Sequence, residues 1–191
     1  MTNELGDVEL DARGVRALAH PVRLAILLRL RADGPSTATR LSPMVGASPS
    51  VTSWHLRHLA EHGLVEDAPG DHGGGRSRWW RVVGSGFRFD VDPRDPAPGI
   101  ALLDLMEQAE GDLVTRWASQ TRPHLEPEWL AVASRWNTGV LATPDEIAHL
   151  ETAMEALLAP LANRSPESAP EGSRRVRILR YVMPAAAPDD D

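Results

Sequence analysis

The chain has 191 residues, no cysteine and a formal net charge of −7. That length can hold one or two domains with a true core, and the missing thiols exclude disulfides, thiolate metal sites and a cysteine nucleophile. No run approaches the roughly 20 apolar residues needed to span a bilayer, and the first residues lack a basic-then-apolar export signal, so a soluble cytoplasmic protein is expected.

In chain order, residues 1–9 carry Glu4, Asp7 and Glu9 without a base and read as a flexible N-terminus. Helical spacing begins at residue 10, with Leu10, Val15, Leu18 and Ala19 as apolar members. His20-Pro21 breaks it, and Pro21 opens a second helix through residue 32. There Ile26, Leu27 and Leu30 face a core while Arg23, Arg29 and Arg31 stay outside, until Asp33-Gly34-Pro35 ends the run. A short helix is expected from Thr37 to about Val45, with Ser36 as cap and Pro43 distorting its last turn.

The next helix carries the most information. Ser48 can cap it, and Pro49 sits at the first helical position, where its missing N–H costs nothing. Thr52, Leu56 and Leu59 fall at i, i+4 and i+7, one inward stripe, which leaves Ser50, Ser53, Trp54 and Arg57 facing out. Gly63 stops the helix. A short helix whose outer face carries hydroxyls, an indole and a guanidinium is equipped for base edges and phosphates.

A hairpin follows, with strands at 64–67 and 78–83. Alternation puts Trp79, Arg81 and Val83 on one face and Trp80 and Val82 on the other. Its Gly-rich tip carries Arg76 and Arg78 near the end. The sequence Gly73-Gly74-Gly75-Arg76-Ser77 lacks the Gly-Lys-Ser/Thr ending and following helix of a phosphate loop, and a flexible wing explains it better. Helix-turn-helix plus basic hairpin is the winged-helix arrangement, in which the wing reaches backbone or minor groove beside the second helix. Charge agrees with that division: residues 11–89 hold 11 Arg against 6 acids, while residues 90–191 hold 9 Arg against 18 acids.

Residues 90–98 read as a linker, and residues 99–183 as a small α+β region for dimerisation, with a candidate effector pocket. Its expected elements are an amphipathic helix at 99–121, a strand at 128–136, a helix opened by a Thr143/Glu146 capping box, and a strand at 174–183. Residues 184–191 read as a disordered tail. Trp117, Trp129 and Trp136 could line an apolar effector site, with core or dimer-interface packing as the plainer account. The fold class is therefore α+β, an N-terminal winged helix-turn-helix over 10–89 followed by a small α+β region.

Residues 15–83 resemble the ArsR-type winged-helix bacterial transcription regulators. The likeness rests on the run from Ala17 to Leu27, on Ser48 to Leu59, and on His62-Gly63-Leu64-Val65 leading into the wing. The resemblance implies a homodimer on a palindromic DNA operator, as a repressor released by an effector. It places Ser50, Ser53, His55 and Arg57 on the family's DNA-reading helix, with Pro49 and Trp54 where the family often has a polar or basic residue. The DNA-binding candidates are thus Ser48, Pro49, Ser50, Ser53, Trp54, His55, Arg57, Arg76 and Arg78.

No metal or cofactor is expected. His55, His58 and His62 sit at i, i+3 and i+7, but His55 is expected to point at DNA and His62 precedes the helix stop. No serine elbow, HExxH or paired-carboxylate signature is present, so no enzyme is expected. The alternative function is a winged helix used for protein contact without DNA, as in the N-terminal domain of some methyltransferases; residues 90–191 carry no Gly-rich cofactor fingerprint to support a catalytic partner.

Overall fold

The computed structural model describes residues 3–69 and 77–186. The N-terminal half is built from β1 (Val8–Glu9), α1 (Ala12–Leu18), α2 (Pro21–Asp33), β2 (Ser36–Thr37), α3 (Ala38–Leu41), α4 (Pro49–Glu61), β3 (Val65–Asp67), β4 (Trp79–Val82) and β5 (Phe87–Arg88). Helices α1 to α4 enclose the core and the sheet β2-β4-β3 lies against it, antiparallel throughout, with Ser36 and Asp67 flanking Trp80.

Local chemistry sets each helix start. Asp11 accepts from the N–H groups of Arg13 and Gly14, Thr37 from Arg40, and Ser48 from Val51. Thr37, not the expected Ser36, is therefore the cap of α3, because the helix begins at Ala38 and Thr37 is the residue directly before it. Pro43 acts as expected: α3 stops at Leu41 and a tighter 3₁₀ turn, Ser42–Met44, replaces it. Gly63 ends α4 at φ 67°, a left-handed conformation that side chains with a Cβ rarely take.

The core gathers Leu18, Ile26, Leu30, Leu41, Leu56, Leu59, Leu64 and Trp80, all buried. Thr52 is buried with them, and its hydroxyl donates to the Ser48 carbonyl at 2.9 Å. Replacing Ser48 by Ala leaves the Val51 N–H without its cap and is expected to cost about 1 kcal/mol in a urea denaturation. A loss within error would mean that water caps α4 equally well.

Over the described span the opening residues include a short strand. β1 pairs in parallel with β5, Val8 opposite Phe87, and Val8 is buried. Leu5 and Val8 contribute apolar surface, which fixes a segment that its charges alone suggested would stay loose.

The second half departs further from expectation. α5 (Ala97–Arg116) continues through a π-helical turn, Trp117–Thr121, and a 3₁₀ turn, Arg122–His124. It is followed by α6 (Pro127–Val132) and α7 (Pro144–Ala162). The strands expected at 128–136 and 174–183 are absent: the first region holds α6, and residues 174–183 form neither helix nor strand. Alternation marks a strand only when a neighbouring strand supplies hydrogen bonds, and neither segment has one among the described residues. The predicted box at α7 is present, with Thr143 Oγ1 accepting from Glu146 N–H and Glu146 Oε2 accepting from Thr143 N–H at 2.7 Å.

Leu102 of α5 is fully buried where α5 meets α1 and α2, whereas Ile100, Leu103, Val114 and Trp117 stay exposed. α7 buries no side chain completely. It is held by Arg88, which pairs with Glu155 and with Glu151 at 3.6 Å, and by Asn163, which donates to the Glu4 carbonyl. Among the described residues no helix is long and apolar enough to cross a membrane. The expected tail at 184–191 falls largely outside the described residues, which end at 186.

Candidate nucleic-acid interface

The site is assembled on α4. Its inward stripe of Thr52, Leu56 and Leu59 is completely buried, so the opposite face must point away from the protein. Ser50, Trp54 and Arg57 are exposed there, Ser53 is half-buried, and Ser48 and Pro49 stand exposed at the N-terminal end. Arg57 Nη1 donates to Ser53 Oγ at 2.8 Å, one helical turn back, which lays the guanidinium along the helix. Trp54 is 53% exposed and stacks flat on His58, with ring centroids 5.5 Å apart and planes 2° from parallel. An indole stacked this way offers a flat apolar surface on the same face as the Arg57 guanidinium.

His55 does not belong to that face. Its ring is only 5% exposed and packs between His20, at 4.8 Å, and the edge of Trp54, at 4.9 Å. The spacing explains it: position 55 is three residues after Thr52 and one before Leu56, on the flank of the inward stripe. Burial, followed by the nearby His20, Arg23 and His58, holds the His55 imidazole below its ordinary pKa. His20, which precedes Pro21, is the cap of α2: its Nδ1 accepts from the Val22 N–H at 3.2 Å. Burial and then Arg23 push its pKa down as well.

The wing supplies the second part. Arg78 grips Asp67 across the hairpin with two hydrogen bonds, Nε to Oδ1 at 2.5 Å and Nη2 to Oδ2 at 2.9 Å. Its guanidinium also lies over the Trp80 ring, 4.0 Å from the centroid. The bond from Arg78 lowers the Asp67 pKa, and Asp67 in turn raises that of Arg78. Arg78 is thus tied down at the base of the wing rather than extended from it. Arg76 and the glycine-rich tip lie outside the described residues.

One participant escaped the sequence reading. Arg40, exposed on α3, lies 4.7 Å over the ring of Trp79 on β4, and so joins the first helix of the helix-turn-helix to the wing. Nothing in the linear sequence signals this pair, because residues 40 and 79 meet only once β2 pairs with β4.

The three tryptophans expected at an effector pocket sit on separate stretches of the second half, Trp117 in the π-helical turn, Trp129 in α6 and Trp136 beyond it. Trp136 is 89% exposed, Trp117 lies 6.0 Å from Arg122, and Trp129 lies 5.3 Å from Arg174. A small cavity in the described chain is instead lined by Leu27, Arg31, Leu64, Val82, Ser85 and Phe87 among others, and none of the three tryptophans borders it. Among the described residues no cluster of three or more histidine or carboxylate side chains is arranged to hold a metal ion.

Residues 18–68 match a family described as a helix-turn-helix domain. Over 52 residues the chain is 36% identical to the HTH-type transcriptional regulator YgaV of Escherichia coli K12, a stretch covering 27% of this chain and 52% of that protein. The chain thus spans about half the length of this curated relative. Among solved structures, a fragment of a possible transcriptional regulatory protein from Mycobacterium bovis is 27% identical, covering 51% of this chain and 89% of that one at a TM-score of 0.33. A solution structure of a homodimeric winged helix-turn-helix DNA-binding domain from the same organism, described as a possible ArsR-family regulator, is 22% identical. It covers 60% of this chain and 84% of that one at a TM-score of 0.32. The helix-turn-helix match over residues 18–68, with the sheet β2-β4-β3 built beside α4, makes the N-terminal half of this chain a winged helix-turn-helix domain.

Proposed function

We propose that this protein is a sequence-specific DNA-binding transcription regulator of the ArsR type, acting as a homodimeric repressor on a palindromic operator. The observation that carries this reading is the open face of α4: Ser50, Trp54 and Arg57 are exposed on a helix whose other side is locked into the core. Such a helix can lie in the major groove, where hydroxyls and a guanidinium meet base edges and phosphates. The acidic second half leaves that face clear. Among the described residues its contacts include α1 and α2 where α5 packs on them, Arg16, Arg88, Glu4, and the last carbonyls of α2, where Arg175 donates to Arg31 and Ala32.

The named regulator that shares 36% identity over the helix-turn-helix supports the same assignment. A palindromic operator needs two heads related by a two-fold axis, and the uncovered side of α5, with Ile100, Leu103, Val114 and Trp117, is the apolar surface suited to join them. The testing experiment is a gel shift with the duplex lying upstream of the protein's own coding region. A retarded complex that survives excess unrelated duplex is expected. Equal competition by any duplex, or no complex, would instead favour a winged helix used for protein contact.

A further inference from the structure

We propose that His20 and His55 form a neutral-ring joint between α2 and α4, which seats the DNA-facing helix and releases it when either ring takes up a proton. The DNA arm of this inference rests on the function proposed above; the joint itself does not.

Three geometric facts carry it. His20 Nδ1 is an acceptor, receiving the Val22 N–H at the first turn of α2, and a protonated Nδ1 cannot accept. His55 Nδ1 is buried without a hydrogen-bond partner among the described residues, so a proton there would add an unpaired N–H as well as a charge. The two rings lie 4.8 Å apart, and a charge on one is felt by the other.

The surroundings are uniformly hostile to positive charge. His20 stands at the N-terminus of α2, the positive end of its dipole. Arg23 lies near enough to act on both rings, and its guanidinium donates to the Ala17 and Arg16 carbonyls at the end of α1. His58 faces His55 from α4 itself. The carboxylates nearby serve other groups: Glu61 sits 3.4 Å from His58, Asp11 of α1 faces His62, and Glu66 and Asp67 of β3 pair with Arg81 and Arg78. Arg40 of α3 is engaged on Trp79, and Arg57 on Ser53.

The sign follows from both imidazoles lying below the ordinary value of 6.5 in the folded protein. The folded state then binds fewer protons than the unfolded chain. Stability from the joint is complete above about pH 6.5 and falls away as the pH drops through the folded values. An added positive charge on the DNA-facing side of α4 would act oppositely, since it attracts phosphate. A weakening of binding in acid therefore points to the His20–His55 pair.

The experiment compares the wild-type chain with His20→Asn, which keeps a capping side chain without a titrating ring, and with the double variant His20→Asn/His55→Leu. Affinity for the upstream duplex is measured at constant ionic strength, alongside urea midpoints and histidine ring NMR titrations of the free protein. For the wild type, Kd should rise about tenfold or more between about pH 7.5 and about pH 5.5, with two rings titrating below the usual histidine range. His20→Asn should remove a large part of that dependence, and the double variant should show none or the reverse. An equal acid sensitivity in all three proteins, or both rings titrating at 6.5 or above, overturns the joint. If no protein binds DNA even near neutral pH, the regulator reading fails while the joint is still decided: an acid-induced fall in urea midpoint confined to wild type supports it, and an equal fall in the variants overturns it. Should the double variant not fold, His20→Asn and the NMR midpoints decide alone.

Discussion

Replacing Trp80 by Ala is expected to destabilise the domain by about 3–5 kcal/mol, the range for emptying a buried aromatic site. Trp80 is only 2% exposed and occupies the middle strand of the sheet, with Ser36 on one side and Asp67 on the other. Its ring packs into the cluster that includes Leu27, Leu30, Leu64 and Val65, and it also carries the Arg78 guanidinium on its face. The variant thus loses core volume and the platform that holds Arg78 against Asp67. Urea denaturation read by far-ultraviolet circular dichroism checks the magnitude. A loss below about 1 kcal/mol would mean that the wing is not anchored through this ring, since such a small effect belongs to surface positions.

Replacing Arg57 by Ala is expected to weaken operator binding by about 1–3 kcal/mol while leaving the fold intact. Arg57 is exposed and donates to Ser53 on the same helix face, so truncation removes no core contact among the described residues. Titrations at two salt concentrations separate its two modes of action. If Arg57 reads a base, the loss falls on the operator and discrimination against unrelated duplex shrinks. If it meets a phosphate, affinity drops evenly across sequences and the salt slope becomes shallower. No loss at all would remove Arg57 from the interface.

How much of this was legible in the sequence depended on whether the cause was local. Ser48, Pro49, Thr52, Leu56, Leu59 and Gly63 announced α4 completely, because a cap, a helical period and a left-handed stop each act within one or two turns. The Thr143/Glu146 box was equally plain. His55 was misplaced although its signal was present: with Thr52, Leu56 and Leu59 it completes an i, i+3, i+4, i+7 stripe, and the polarity of imidazole masked that membership. β1 and β2, two residues each, carry no period to detect, and they exist through pairing with chain 42 or more residues away in sequence.

The second half shows the opposite failure. Val176, Ile178 and Val182 alternate as a strand would, yet each is about half exposed or more and none has a ladder to join. Glu126-Pro127 starts α6 where alternation pointed to a strand, because Pro at the first position with an extended residue before it favours a helical turn. The tryptophans were grouped by sequence neighbourhood, and the chain sets Trp117 near Arg122 and Trp129 near Arg174 and leaves Trp136 exposed.

Hydroxyl-radical footprinting of the wild-type protein on its own upstream duplex tests the central claim most directly. Two α4 helices presented by a two-fold dimer should protect two half-sites centred about one helical turn, roughly 34–36 Å, apart, with both patches lost together in Arg57→Ala at the same protein concentration. Uniform protection along the duplex, a single patch, or protection unchanged by that substitution would contradict an α4 that reads DNA through its exposed face.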